Sequence, residues 1–177
     1  MGDKKRMTQL EDFRREKDDF FAEDEQSPLT AEQRRNFHGL NYFPENPALR
    51  LVLPVEEFEK KDKISMPTST GDVQVYNRYG KIKFDVEGQP AELTVYASRD
   101  SFFLPFVDVL AGKETYGAGR YLEPVLAGGG KFLVDFNYAY NPYCAYNENW
   151  SCPITPFENR LKVPIKAGEK TFHTEPD

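Results

Sequence analysis

The sequence predicts a mainly β fold, an antiparallel β-barrel-like or sandwich domain with one or two N-terminal α-helices. Three observations carry this expectation. Apolar and polar residues alternate with period two in short runs from Ala48 onward, glycine and proline separate the runs, and two capped helical stretches precede residue 40. The 177 residues fit one domain of roughly 100–200 residues. We read residues 1–177 as that domain, with a helical segment over 8–40 and a β domain over 48–172.

The helices come first. Thr8 followed by Glu11 is a capping-box pattern, and Leu10, Phe13, Phe20 and Phe21 recur at helical spacing, interrupted by Lys17. Ser27-Pro28 should end this helix, because the residue before proline is pushed out of the helical region. Thr30 and Gln33 form a second box, with Gly39 a stop after Phe37. Phe20, Phe21 and Phe37 are expected to dock onto the main core.

Strands follow. Leu49, Leu51 and Leu53 alternate with Arg50 and Val52, and Val73 and Val75 alternate with Gln74 and Tyr76. Tyr79-Gly80 reads as a turn before Ile82, Phe84 and Val86, and Glu87–Pro90 as the next turn before Leu93 and Val95. Phe102–Val107, Lys131–Phe136 and Leu161–Ile165 complete the set, enough short strands for a barrel or sandwich.

Composition excludes several function classes. The hydrophobic fraction of 39%, with 12 glycines besides, allows an ordinary core. The longest apolar run, Phe102 to Val107, is far below the ~18 residues a membrane span needs. A net charge of −6 argues against holding a nucleic-acid backbone, which needs a basic stripe. The charged N-terminus lacks a secretory apolar stretch, and Arg6 breaks the myristoylation pattern of Met1-Gly2. The expected location is therefore cytoplasmic.

Chemistry concentrates between Phe132 and Phe157. This span holds Tyr138, Tyr140, Tyr143, Tyr146 and Trp150, four asparagines (137, 141, 147 and 149) and both cysteines. Rich in Pro, Asn and Tyr, it cannot be a regular helix and reads as a self-packed loop, a type that is often functional. The alternative is an aromatic lid whose Asn and Asp side chains hold turns.

Phe103-Leu104-Pro105-Phe106, Gly117-Ala118-Gly119-Arg120-Tyr121-Leu122, Asp135-Phe136-Asn137 and Ala139-Tyr140-Asn141-Pro142 resemble an uncharacterised family catalogued as domain of unknown function 1684. So do Cys144-Ala145-Tyr146, Cys152-Pro153, Glu158-Asn159-Arg160-Leu161 and Ala167-Gly168-Glu169. The resemblance runs from Phe13 to Phe172. It implies no activity, substrate or cofactor, and it marks these motifs as the places to look.

Cys144 and Cys152 admit four readings. They are free buried thiols, a disulfide, ligands of a metal with Asp135 or His38, or a site where Cys144 is a nucleophile served by His38. A disulfide needs an oxidising compartment, and the spacing is not that of a zinc knuckle, so no metal is assigned. His173 lies too near the terminus to serve as the base. Asp135 and Glu158 could act as a carboxylate pair if an apolar pocket brought them together; otherwise they hold turns.

Gly117-Ala118-Gly119-Arg120 could present backbone N–H groups and a guanidinium to an anion, or simply be a tight hairpin that needs glycine. A P-loop is excluded, since Glu114 follows Gly112-Lys113, and Gly128-Gly129-Gly130 reads as a turn.

The expected function is binding of a small anionic or aromatic ligand at a barrel mouth. Arg120, Tyr121, Asn137 and Tyr140 are candidate ligand contacts, together with Asn141, Tyr146, Asn159 and Arg160. The competing expectation is a hydrolase or transferase using Cys144 or the Asp135/Glu158 pair, and a third is a partner-binding module. No cofactor is indicated, and self-association into a homodimer stays open.

Overall fold

The computed structural model describes residues 8–172, so Met1-Gly2, Arg6 and His173 lie outside the described residues. Helix α1 spans Gln9–Glu23 and α2 spans Ala31–Arg35. Thr8 caps α1 by accepting from the Glu11 N–H, and Thr30 forms a full capping box with Gln33. α1 ends before Ser27-Pro28, at an Asp24 C-cap in extended conformation. Among the described residues, no helix is long and apolar enough to cross a membrane.

Among the described residues nine strands follow: β1 Arg50–Pro54, β2 Glu56–Glu57, β3 Lys63–Pro67, β4 Val73–Val86, β5 Gln89–Ser98, β6 Ser101–Phe106, β7 Arg120–Leu122, β8 Val125–Gly128 and β9 Lys131–Asp135. They form two antiparallel sheets, β1-β9-β8 and β2-β4-β5-β6-β7, with β3 also paired to β4. The fold is thus mainly β and sandwich-like. The barrel expectation fails because the ladder does not close. The outer edge of the short β7 is taken by a loop, in the Tyr121–Tyr140 bridge, and Pro124 follows with no N–H to donate.

Two further expectations are corrected. Tyr79-Gly80 is no turn: β4 runs straight through, with a bulge between Arg78 and Gly80. Glycine is needed there for close approach, because a Cβ at Gly80 would stand 2.8 Å from the Glu56 carbonyl oxygen. Leu161–Ile165 bends at Lys162-Val163 and joins no sheet. The Leu161 N–H reaches the Val107 carbonyl at 2.7 Å, while Pro164 has no donor to extend a ladder.

The inward faces of both sheets make the core. Ile82, Phe84 and Val86 of β4 share a core with Phe132 and Val134 of β9, and the Phe136 ring lies tilted 5.4 Å from Phe84 and edge-on 5.3 Å from Phe106. Phe20, Phe21 and Phe37 do not dock there. They form a smaller cluster with Leu29, Tyr146 and Phe172, so α1 packs on the C-terminal aromatic segment. A helix stripe shows which face is buried, not which surface buries it.

Phe136 is completely buried, so Phe136→Ala should lose about 3–5 kcal/mol of unfolding free energy in urea titrations. Phe157→Ala, at an 85% exposed position, should stay within about 0.5 kcal/mol of wild type.

Candidate functional site

The aromatic segment begins where β9 ends. Asp135 caps the turn Phe136–Tyr138 by accepting from the Asn137 N–H at 3.1 Å. Asn137 in turn exchanges hydrogen bonds with the Asn46 backbone at 2.8 and 3.0 Å. These two side chains therefore knit the chain at residue 46 onto residue 137, and Arg50 lies 3.7 Å from Asp135 across the β1–β9 pair.

Past this turn the chain doubles back onto β7, and Tyr121 and Tyr140 exchange backbone hydrogen bonds at 2.8 and 2.9 Å. The segment then descends into a polar core beneath the surface. The Glu169 carboxylate accepts there from Lys17 of α1, the Tyr146 hydroxyl and the Asn141 N–H. Beside it lies Arg120, 1% exposed, donating to the carbonyls of Ile165, Ala167 and Glu169 and standing 3.4 Å from Asp108. Burial lowers the guanidinium pKa, while Asp108 and Glu169 favour its charged form. Gly119 makes room for this arrangement: its φ is +98°, and a Cβ would stand 2.5 Å from the Phe106 carbonyl oxygen. The glycine–arginine motif thus packs tightly and turns its guanidinium inward.

Above this core lies a cleft of about 630 Å³. One wall is α1, with Phe13, Glu16, Lys17, Phe20 and Phe21. The other is Tyr121, Glu123, Tyr140, Pro142 and Tyr143, closed by the stretch from Trp150 to Pro153. The Lys17 ammonium sits 5.2 Å from the Tyr140 ring centroid, held by Glu169 behind it. Burial raises the pKa of Tyr121 and of Tyr140, so both phenols stay protonated. Tyr140 donates to Glu123 at 2.9 Å, and the Trp150 indole donates to the Pro28 carbonyl at 3.0 Å.

Of the residues expected to bind ligand, Tyr121 and Tyr140 line this cleft. Tyr146, Asn141 and Arg120 lie in the polar core instead. Asn137 is occupied with Asn46, and Asn159 joins β5 to β6 through Thr94 and Pro105. Arg160 is exposed, with its guanidinium 5.9 Å from the Phe157 ring.

The carboxylates are not brought together in one network. Glu158 accepts from Arg78 at 2.6 and 3.1 Å, from Thr94 at 3.2 Å and from Tyr96, sharing no partner with Asp135. Burial raises the Glu158 carboxyl, but the Arg78, Tyr96 and Thr94 hydrogen bonds outweigh it and hold the pKa below the usual range.

Cys144 and Cys152 are free thiols. Cys152 lines the cleft, and its sulfur accepts the Cys144 N–H at 3.3 Å. The Tyr116 hydroxyl reaches the Cys144 sulfur at 3.7 Å. Hydrogen bonds from Cys152, Tyr116 and Ser69 outweigh burial and lower the Cys144 thiol to about 6, while Cys152 is pushed up. His38, expected as its base, lines a different depression with Glu32, Gln33, Asn36 and Phe37.

Sequence reasoning missed the α1 wall. The usable signal was Lys17, a charge inside an apolar helical stripe, whose ammonium meets the buried Glu169. Glu123 gave no comparable signal.

The family model described as protein of unknown function, DUF1684, matches residues 35–170. The chain belongs to this family. The matched span takes in the β strands and the C-terminal segment and begins after α1. Among solved structures, the NMR structure of an uncharacterized protein of Haloarcula marismortui is similar, at 35% identity and a TM-score of 0.70, over 92% of each chain. No curated protein matches the chain.

Two measurements check this geometry. Arg120→Ala should destabilise the fold by about 3–5 kcal/mol in urea unfolding, because Asp108 is left buried and unpaired. Alkylation of Cys144 by iodoacetamide should rise with pH through a midpoint below that of an ordinary thiol, since the lowered pKa makes the thiolate available at lower pH. Cys152→Ser should move that midpoint upward, because it removes the leading cause of the shift.

Proposed function

We propose that this protein binds a small, partly aromatic ligand in the cleft between α1 and residues 140–153. The observation that carries the reading is the cleft itself. Its volume of about 630 Å³ falls within the roughly 300–1,000 Å³ of small-molecule sites. Its walls are mostly rings, with a few polar groups at the edge, the composition such sites share.

The charges in the walls refine the ligand. Arg120, the residue that suggested an anion, has its donors committed to backbone carbonyls and Asp108. Lys17 is already neutralised by Glu169. Two carboxylates remain at the exposed rim: Glu123, which accepts from Tyr140, and Glu16, which has no ion-pair partner among the described residues. Aromatic faces beside carboxylates favour an aromatic ligand that carries a cationic or hydrogen-bond-donating group.

Thermal-shift titration with aromatic amines and matched aromatic acids tests this. The amines should raise Tm and quench Trp150 fluorescence, with Tyr140→Ala and Glu123→Gln weakening the effect. A preference for the acids, or stabilisation by neither series, overturns the reading.

A further inference from the structure

The two cysteines stand at the ends of the loop over residues 145–151, which carries Trp150 along the cleft. Both are anchored from outside the loop. Cys144 sits in the turn Tyr143–Ala145, and Cys152 is paired with residue 69, its N–H donating to the Ser69 hydroxyl at 3.1 Å and its carbonyl accepting the Ser69 N–H at 3.0 Å. Neither cysteine belongs to an apolar cluster among the described residues, and both take part in hydrogen bonds. They also stand between two openings. Cys152 lines the cleft, while Tyr116, bonded to Cys144, lines a second depression with Asn41, Gly112 and Lys170.

We propose that Cys144 and Cys152 form a redox-active dithiol that exchanges with low-molecular-weight disulfides and closes into a bridge across residues 145–151. The half-buried Cys144 is the attacking thiol and the buried Cys152 the resolving one. The Cys144 thiolate attacks one sulfur of the small disulfide. That S–S bond breaks, one small thiolate leaves and takes a proton from solvent, and a mixed disulfide remains on Cys144. Cys152 then loses its proton and attacks the Cys144 sulfur, expelling the second small thiolate. Two protein thiols are oxidised and one small disulfide is reduced to two thiols.

The shared hydrogen bonding orders these steps. While Cys144 is a thiolate it holds Cys152 protonated and unreactive. Once Cys144 enters the mixed disulfide its charge is gone, and Cys152 can ionise with the Cys144 N–H already aimed at its sulfur. This chemistry does not rest on the ligand reading, since it needs only that a small disulfide reach Cys144.

The test is incubation of the full chain with glutathione disulfide, followed by intact mass and Trp150 fluorescence. The wild type should lose two hydrogens in mass, with a fluorescence change that dithiothreitol reverses. Cys152→Ser should accumulate a single glutathione adduct on Cys144, forming about tenfold faster than any adduct on Cys152 in Cys144→Ser. A wild-type chain that stays reduced overturns the proposal, as does one that ends doubly glutathionylated or as a disulfide-linked dimer.

Discussion

The guanidinium of Arg120 is the constraint around which the C-terminal third is arranged. A charge this deeply buried is tolerated only when paired and hydrogen-bonded, because an isolated one would cost tens of kcal/mol in a low-dielectric interior. The chain meets that demand with three carbonyls, at Ile165, Ala167 and Glu169, and one carboxylate, Asp108. Alternate carbonyls of a straight strand lie about 6.6 Å apart and stay parallel, so residues 165, 167 and 169 converge on one guanidinium because the chain bends at Ala167-Gly168, where Gly168 has a φ of +80°. Asp108 also accepts the Ile165 N–H at 2.7 Å, fixing the start of the run. Segment 165–169 thus lies outside the strands and offers its carbonyls to a side chain.

Glu169 extends the same logic outward. Its backbone serves Arg120 while its side chain gathers Lys17, Tyr146 and Asn141, so one residue ties the C-terminal segment to α1 and to the aromatic loop. Buried ionic groups of this kind add little net stability compared with an apolar core of equal volume. Their effect here is positional: the two walls of the cleft rest on one shared carboxylate, so its floor is set by hydrogen bonds with defined directions.

Much of the fold was legible because its signals are local. The caps at Thr8 and Thr30 and the period-two runs of β4, β5 and β9 follow from short-range rules. What was not legible depended on distant partners. Gly80 looks like a turn until the Glu56 backbone is seen lying against it, and closure of a barrel depends on what occupies the outer edge of β7. At the site, the aromatic segment meets the chain beside the glycine–arginine stretch through the Tyr121–Tyr140 backbone pair, a contact between distant residues that no local pattern specifies. Arg120 beside glycines looks like an anion receptor because composition carries no information about which way a side chain points.

In the cleft the fold leaves apolar surface uncovered between two elements that already face each other. Phe13 and Tyr143 remain 38% and 36% exposed although α1 and the aromatic loop already stand face to face. Burying such surface would gain about 25 cal/mol per Å², so a sequence selected for stability alone would fill the gap with interdigitating aliphatic side chains. Rings resist that filling. Tyr143 meets Trp150 nearly edge-on, at 67° and 5.1 Å, and rigid plates in that arrangement leave slots that aliphatic chains would close. The hydrogen bonds of Trp150 to Pro28 and of Tyr140 to Glu123 then hold the plates in place, so the groove is preserved by directional contacts.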